Sequence, residues 1–320
     1  MDKSILGRIR DVGIVPVIKL EDSLKAVPLA RALCEGGISV AEVTFRAGSA
    51  PESIGRIREA LPEMLVGAGT VTSVSQARAA KDAGARFIVS PGFNDEVVDF
   101  CLSEDLAVLP GVNNPDGVER GLGRGLDVLK FFPAEASGGV AMLEALAGPY
   151  QTVSFVPTGG IGLANIGNYA RRSNVWAVGG SWMVDQGAIA VGDWQTITRM
   201  SREAIIALHG FAIAHLGINM KDEGEAAALV GVFGDVFGIA ALEGSASYMV
   251  GGVLEVTKMP FPGVSGHIAV RVNDVERAVA YLAARGYAAV METAKREKGK
   301  LKSVYVGRLD GDFAIHVLRA

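Results

Sequence analysis

The chain has 320 residues, of which 49% are hydrophobic and 21% are charged, and its formal net charge is −4. This composition is typical of a globular protein with a full core, and it excludes extensive disorder. The small net charge gives no reason to expect nucleic acid or an anionic membrane as a partner, since both bind clustered basic residues. The one basic cluster, 294–302, is predicted to be a solvated hairpin turn.

The amino-terminal segment and the cysteine count bear on the compartment. Residues 1–18 do not show a basic segment followed by an apolar one, as a secretion signal would. No stretch reaches the roughly 18 uninterrupted apolar residues of a membrane span. The chain has only two cysteines, so neither a disulfide framework nor a cysteine metal site is indicated. We therefore expect a soluble cytoplasmic protein.

The first two thirds of the chain alternate short, valine-rich apolar runs with amphipathic stretches, which is typical of repeated βα units. The strand-like runs number eight and lie at 13–20, 40–45, 64–71, 86–92, 106–112, 127–133, 152–160 and 175–181. Eight parallel strands, each followed by a helix, close into a barrel of about 200 residues. The sequence thus predicts an α/β fold, a TIM (β/α)8 barrel, over residues 1–209.

After residue 209 the pattern changes. The order strand, helix, strands occurs twice between residue 211 and the end of the chain, with a joint near 260–263. Each copy has roughly 50 residues and is too short to bury a core alone, so the copies should pair. We predict a second, smaller α+β domain of paired βαβββ-like modules over residues 210–320.

Lys130 lies in the apolar run VLKFFPAE, residues 128–135. A lysine in a buried strand either reaches water, pairs with a carboxylate, or is held there for its chemistry. Glu42, in the motif EVTFR, is also an ionisable residue inside a strand run. Since the chemistry of such barrels is located at the carboxyl ends of the strands, we expect Lys130 and Glu42 to meet at the barrel mouth.

Two interpretations of this pair are open. In one, Glu42 and Lys130 form a structural ion pair, and each persists because removing it would leave the other unpaired. In the other, desolvation favours the neutral amine, which attacks a keto carbon, and the protonated imine then accepts electrons during carbon–carbon cleavage. Glu42 would move the protons. Arg46 could clamp a carboxylate, and Thr70 could donate a hydroxyl hydrogen bond on the same side.

Two glycine-rich segments follow the last two predicted barrel strands, TGG at 158–160 and GGS at 179–181. Barrels often build a phosphate cradle at these positions from backbone N–H groups and a hydroxyl, and glycine permits the close approach. A substrate with a keto acid at one end and a phosphate at the other would fit these groups.

Together these motifs resemble the class I 2-keto-3-deoxy-6-phosphogluconate aldolases, which also cleave 2-keto-4-hydroxyglutarate. The motifs that carry the resemblance are PVI (16–18), EVTFR (42–46), GAGTV (67–71), SPG (90–92), KFFPAE (130–135), PTGGI (157–161) and GGSW (179–182). The resemblance implies a Schiff-base lyase of carbohydrate metabolism that releases pyruvate plus glyceraldehyde 3-phosphate or glyoxylate. It also implies a homotrimer formed through the barrel, with no metal or other cofactor needed for the reaction.

The resemblance further implies roles for individual residues. Lys130 would form the Schiff base, Glu42 would move protons, and Arg46 and Thr70 would hold the pyruvyl carboxylate. The remaining residues implied to contact the substrate are Pro91 and Phe132 as pocket walls, and Thr158, Gly159, Gly160, Gly180 and Ser181 at the distal phosphate or carboxylate. Ala47 and Asn114 stand where the family often has threonine, so the preferred substrate stays open.

A function from another class is an alternative: a phosphate-sugar or keto-acid binding or regulatory protein on a barrel scaffold, with the tail as sensor. Such a protein would bind its ligand saturably without turnover. The sequence disfavours it, because binding alone does not require a buried amine beside a carboxylate.

Three of the four histidines lie at comparable strand positions in the tail, His215, His267 and His316, and Glu255 occupies the matching position in another strand. The tail resembles the glyoxalase and vicinal-oxygen-chelate family, in which paired βαβββ modules surround a divalent metal. By that pattern these four residues form a ligand set, and their chemistry suits zinc, nickel, iron or manganese. Alternatively, they are ordinary strand residues on a degenerate module used for packing or oligomer contacts.

Overall fold

The computed structural model describes residues 3–297 and 299–320. The chain divides into two compact units, the first ending at Leu208 and the second beginning at His209. Both units combine helices with strands, so the fold is mixed α/β. None of the helices in the described part of the chain is long and apolar enough to cross a membrane.

The first unit alternates strands and helices along most of its length. Its strands are β1 (Ile14–Ile18), β2 (Val40–Thr44), β3 (Leu65–Gly69), β4 (Phe87–Val89), β5 (Ala107–Leu109), β6 (Gly111–Val112), β7 (Val128–Phe131), β8 (Ser154–Pro157) and β9 (Val178–Gly180). Its helices are α1 (Lys3–Val12), α2 (Ala26–Glu35), α3 (Ala50–Ala60), α4 (Val74–Asp82), α5 (Asp95–Ser103), α6 (Pro115–Leu122), α7 (Gly139–Ala147), α8 (Ile166–Ala170), α9 (Gln186–Val191) and α10 (Trp194–His209).

The strands of the first unit form a curled parallel sheet. Six strands are hydrogen-bonded in the order β5-β4-β3-β2-β1-β9, and three more in the order β6-β7-β8. Isolated bridges join Phe155 to Val175 and Thr158 to Gly179. Each of the eight predicted strand runs contains a strand, but 106–112 contains two short ones, because Pro110 between them has no N–H to donate.

An apolar cluster fills the amino-terminal end of this sheet. Ile5, Leu6 and Ile9 of α1, a helix that the sequence reasoning did not predict, are buried in one cluster with residues such as Val40 and Leu65, which begin their strands. Since this end is closed by apolar side chains, the polar residues are left at the opposite, carboxyl ends of the strands. That arrangement leaves the carboxyl ends for a functional site.

The second unit repeats the order strand, helix and three strands. Its elements are β10 (Ala212–Ile218), α11 (Glu223–Phe237), β11 (Ala241–Glu243), β12 (Ser247–Val250), β13 (Leu254–Thr257), β14 (Gly266–Val272), α12 (Val275–Ala283), β15 (Ala289–Glu297), β16 (Lys300–Val306) and β17 (Phe313–Arg319). All eight strands form one sheet in the order β11-β12-β13-β10-β14-β17-β16-β15. The sequence had missed β11 and β15.

The first strands of the two copies, β10 and β14, lie side by side and antiparallel at the centre of that sheet. Each copy begins its helix with an aspartate: Asp222 accepts a hydrogen bond from the Glu225 N–H, and Asp274 from the Arg277 N–H. The basic segment 294–302 falls in the antiparallel pair β15 and β16, with Lys298 outside the described residues.

Candidate functional site

Two ionisable side chains face each other inside the first unit. Lys130 lies on β7 and Glu42 on β2, and only 5% and 3% of their respective surfaces are exposed. The Lys130 Nζ atom is 3.5 Å from Glu42 Oε1. Glu42 Oε1 has no hydrogen-bond partner within the described residues, although the lysine ammonium is nearby. The structure thus brings together the two residues that the sequence singled out.

Glycines on neighbouring strands allow the close packing around this pair. β2 runs beside β3, and a Cβ atom on Gly69 of β3 would lie 2.0 Å from Glu42 Oε1. Lys130 pairs in register with Gly111, where a Cβ atom would lie 2.1 Å from the Pro91 carbonyl oxygen. Any larger residue at these positions would displace its neighbour, because protein interiors are close-packed.

Arg46 and Thr70 lie just beyond the ends of the neighbouring strands β2 and β3. Arg46 is exposed, and its Nε atom is 3.4 Å from the Thr44 hydroxyl, which donates to the Ile18 carbonyl oxygen. Thr70 has a φ of +54°, a left-handed conformation that is unfavourable for a β-branched residue. Such strain is often found at functional sites.

The walls of a cavity at the same ends of the strands include Pro91 and Phe132. The cavity has a volume of about 480 Å³, and Asn114 also lines it. The Phe132 ring centroid is 5.1 Å from Lys130 Nζ. Asn114 also accepts a hydrogen bond from the Gly117 N–H at the start of α6, so its side chain has a structural role there.

The two glycine-rich segments lie side by side. Thr158 forms a bridge with Gly179, and a Cβ atom at position 179 would lie 2.2 Å from the Thr158 hydroxyl oxygen. Gly159 and Gly160 have φ values of +103° and +79°, which require glycine. Gly180 is buried at the end of β9, whereas Gly160 and Ser181 are exposed. The segments therefore place exposed backbone and a hydroxyl next to one another.

A supporting pair that the sequence reasoning missed lies beside this loop. The fully buried Tyr169 donates a hydrogen bond from its hydroxyl to the Glu135 carboxylate. The Glu135 N–H donates to the Gly159 carbonyl oxygen at 3.1 Å, and a Cβ atom on Gly160 would lie 2.6 Å from Glu135 Cγ. Burial and the hydrogen bond with Glu135 raise the pKa of Tyr169. The pair therefore fixes the position of the loop.

A buried amine beside a buried carboxylate, with two glycine-rich segments at the carboxyl ends of parallel strands, is the arrangement that a Schiff-base lyase requires. The sequence model for KDPG and KHG aldolases matches residues 5–200. The chain belongs to the KDPG and KHG aldolase family.

Individual relatives agree with this assignment. The 2-dehydro-3-deoxy-phosphogluconate aldolase of Treponema pallidum is 48% identical over 202 residues, which are 63% of this chain and 96% of the relative. The KHG/KDPG aldolase of Escherichia coli K12 is 42% identical over 192 residues, 60% of this chain and 90% of the relative.

Solved structures show the same similarity. The KDPG aldolase of Legionella pneumophila, with pyruvate captured as a covalent carbinolamine intermediate, matches with a TM-score of 0.60 and 38% identity, covering 62% of this chain and 96% of that one. The Zymomonas mobilis ZM4 enzyme with 3-phosphoglycerate matches with a TM-score of 0.60 and 39% identity, covering 64% of this chain and 96% of that one.

A second cluster of ionisable residues lies in the second unit. His215, Glu255, His267 and His316 belong to four adjacent strands, β10, β13, β14 and β17. Glu255 Oε2 is 3.0 Å from His215 Nε2 and 3.1 Å from His267 Nε2, and the two Nε2 atoms are 3.2 Å apart. His316 joins them, since the three histidines have ring nitrogens within 4.8 Å of one another.

These distances fit a divalent metal. Ligand atoms about 2.0–2.1 Å from a tetrahedral metal would be about 3.3 Å apart. Hydrogen bonds from His215 and His267 lower the pKa of Glu255, and burial lowers the pKa of His316 to about 4. Both shifts favour the carboxylate and the neutral imidazole, which are the forms that bind metal. The strands meet closely here: a Cβ atom on Gly217 would lie 2.1 Å from His267 Cε1.

Proposed function

We propose that the protein is a class I aldolase that cleaves 2-keto-3-deoxy-6-phosphogluconate, 2-keto-4-hydroxyglutarate or both. The products are pyruvate and an aldehyde, glyceraldehyde 3-phosphate or glyoxylate. The observation that carries this proposal is the buried contact between Lys130 and Glu42. The names of the relatives, and the covalent pyruvate intermediate of the Legionella enzyme, support it.

The reaction follows from the placement of these two groups. The Lys130 amine attacks C2 of the substrate, and the carbinolamine takes up a proton and loses water to give a protonated imine. Glu42 takes the proton of the C4 hydroxyl, the C3–C4 bond breaks, and its electron pair moves toward the imine nitrogen to form an enamine while the aldehyde leaves. Protonation of C3 and hydrolysis of the imine then release pyruvate and restore the amine.

Other residues position the substrate in this proposal. Arg46 and Thr70, at the ends of the strands that carry Glu42 and Gly69, hold the pyruvyl carboxylate. Phe132, whose ring centroid is 5.1 Å from Lys130 Nζ, and Pro91, which lines the same cavity as Phe132, would wall the pocket and exclude water from the imine. The residues assigned to the distal phosphate or carboxylate are Thr158, Gly159, Gly160, Gly180 and Ser181.

Borohydride trapping with pyruvate tests the covalent step. Reduction should add a pyruvyl group to the peptide that contains Lys130, and the Lys130→Met variant should show neither the adduct nor cleavage. Glu42→Gln should still be trapped but should cleave about 100-fold or more slowly, since general acid–base catalysis contributes 10²–10⁴-fold. An unmodified Lys130 peptide in the active wild-type protein would contradict the proposal.

We further infer that residues 1–209 form a closed (β/α)8 barrel and that 210–320 form a separate domain. The two strand ladders, together with the bridges from Phe155 and Thr158, support closure.

The homotrimer implied by the aldolase resemblance would assemble through this barrel. A chain ending at residue 209 should then be folded, active and trimeric by light scattering, whereas a monomer would contradict the assembly.

For the tail, we infer a glyoxalase-like domain of paired βαβββ modules that binds zinc, nickel, iron or manganese. His215, Glu255, His267 and His316 would hold the metal, which when bound would supply Lewis-acid chemistry. Metal analysis should find one equivalent per chain and a loss in His215→Ala and His267→Ala. A metal-free protein that takes up no added Mn²⁺ would contradict the site.

A further inference from the structure

A cavity of about 210 Å³ opens beside the histidine cluster. Glu255, His267 and His316 line one part of it, and Tyr305 and Lys295 line another. The aldolase reaction does not use this cavity, because all of these residues belong to the second unit. Its lining gives information about the ligand, since Lys295 and Tyr305 are both hydrogen-bond donors.

Lys295 is an unpaired cation in the lining of the cavity. The side chain is exposed, and it forms no ion pair with a carboxylate within residues 3–297 and 299–320. The pairing of β15 with β16 shifts register on both sides of Lys295, and such irregularities often redirect a side chain near a functional site. Lys258 of the tail, by contrast, pairs with Glu223 and Glu243.

Tyr305 supplies a second donor. It is only 6% exposed, and its ring stacks on His316 with centroids 4.5 Å apart. The Tyr305 hydroxyl has no hydrogen-bond partner in the described part of the chain, whereas its backbone N–H donates to Thr293. Because the hydroxyl oxygen is not completely buried, it is open to a ligand in the cavity that accepts a hydrogen bond.

The volume of the cavity accommodates a small ligand. One water occupies about 30 Å³ of the liquid, so 210 Å³ has room for about seven waters. A three-carbon acid is of the right size, and an anion balances both Lys295 and a divalent metal.

We propose that this cavity binds a small 2-oxo carboxylate, with its carboxylate held by Lys295 and Tyr305 next to the histidine cluster. The proposal rests on the proposed function, because the metal site provides part of the charge and the aldolase reaction releases a ligand of this class, pyruvate. The tail would therefore bind a product of the first unit or a close chemical relative of it.

Line broadening of the pyruvate methyl resonance by Mn²⁺ bound to the tail provides a local test. The full-length Lys130→Met variant prevents Schiff-base formation at the barrel, so only pyruvate near the metal is broadened. The broadening should reach a maximum as the pyruvate concentration is raised. Hydroxyacetone, which has no carboxylate, should show little broadening of its methyl resonance. Adding Lys295→Met should weaken pyruvate binding about tenfold or more, because a charge-assisted hydrogen bond is lost.

Lys302→Met is the matched control, because Lys302 on the adjacent strand β16 is exposed like Lys295 but does not line the cavity, and its Nζ atom is 3.9 Å from Glu297 Oε2. It should leave the pyruvate affinity unchanged. If Mn²⁺ binds but pyruvate is not broadened, or if Lys295→Met binds pyruvate as the parent does, the carboxylate proposal is wrong and the metal site stands. If Mn²⁺ does not bind, the metal site and this proposal both fail, while the aldolase assignment is unaffected.

Discussion

Gly69 and Glu42 share one small space: a Cβ atom at position 69 would lie 2.0 Å from Glu42 Oε1. The two residues lie on neighbouring parallel strands, and the carboxylate reaches toward Lys130 across the position that a side chain would fill. The place of the Glu42 carboxylate is therefore set partly by the absence of a side chain on the next strand.

Gly69→Ala should displace the Glu42 carboxylate and lower kcat/KM by about 100-fold, since small displacements of a catalytic group cost that much. The added methyl should also destabilise the fold by about 1–3 kcal/mol. Steady-state kinetics and urea unfolding measure the two effects. Gly7→Ala is the control, because a Cβ atom there meets nothing within 4 Å. Wild-type activity in Gly69→Ala would show that the carboxylate position is not critical.

Gly217→Ala should have the parallel effect in the tail. Its Cβ atom would lie 2.1 Å from His267 Cε1 and would push the imidazole away from Glu255. We expect the affinity for Mn²⁺ to fall by 10- to 100-fold, the usual cost of a change in the groups around a metal ligand. Gly234→Ala, where nothing lies within 4 Å, should bind the metal normally. Isothermal titration distinguishes the two variants.

Tyr169→Phe removes the hydroxyl that holds Glu135 beside Gly160. The glycine-rich loop should lose part of its support, so KM for a phosphorylated substrate should rise by several-fold while kcat changes little. Tyr150→Phe is a matched control, because Tyr150 also donates to a glutamate, Glu119, but on the exposed surface. A fall in kcat alone would argue against a role in substrate binding.

His209 should make stability depend on pH. Its ring is 1% exposed, stacks on Phe211 and Tyr281, and has no hydrogen-bond partner within the described residues. Burial, with a smaller effect of Arg277, lowers its pKa from 6.5 to about 3. Below pH 6.5 the unfolded chain binds a proton that the folded chain does not. The stabilisation is therefore complete above pH 6.5 and is lost as the pH falls toward 3.

Between pH 7.5 and 5.0 this effect of His209 amounts to about 2 kcal/mol, at 1.36 kcal/mol per pH unit below 6.5. Urea unfolding at the two pH values measures this effect in wild type and in His209→Phe. The unfolding free energy should fall less in the variant than in wild type as the pH is lowered. His316 is present in both proteins, so its effect cancels in the comparison. If the unfolding free energy falls by the same amount in wild type and in His209→Phe, His209 is protonated in the folded state.

The sequence identified site residues wherever the pattern of a single strand or loop was enough to recognise them. Lys130 in an apolar run, Glu42 in another, and the glycines at 158–160 could each be recognised without a structure, because period-2 patterns and glycine pairs are local. The four tail residues His215, Glu255, His267 and His316 were likewise found from their comparable strand positions.

Only the tertiary structure decided the contacts between distant parts of the chain. Nothing in the sequence near residue 69 shows that Glu42 needs its space, and nothing near Lys295 shows that Tyr305 faces the same cavity. The end-closing helix α1 was missed for a related reason, because its burial depends on strands throughout the first unit. The sequence by itself determined which groups are available for chemistry, whereas their distances and surroundings depend on packing between strands and helices far apart in the chain.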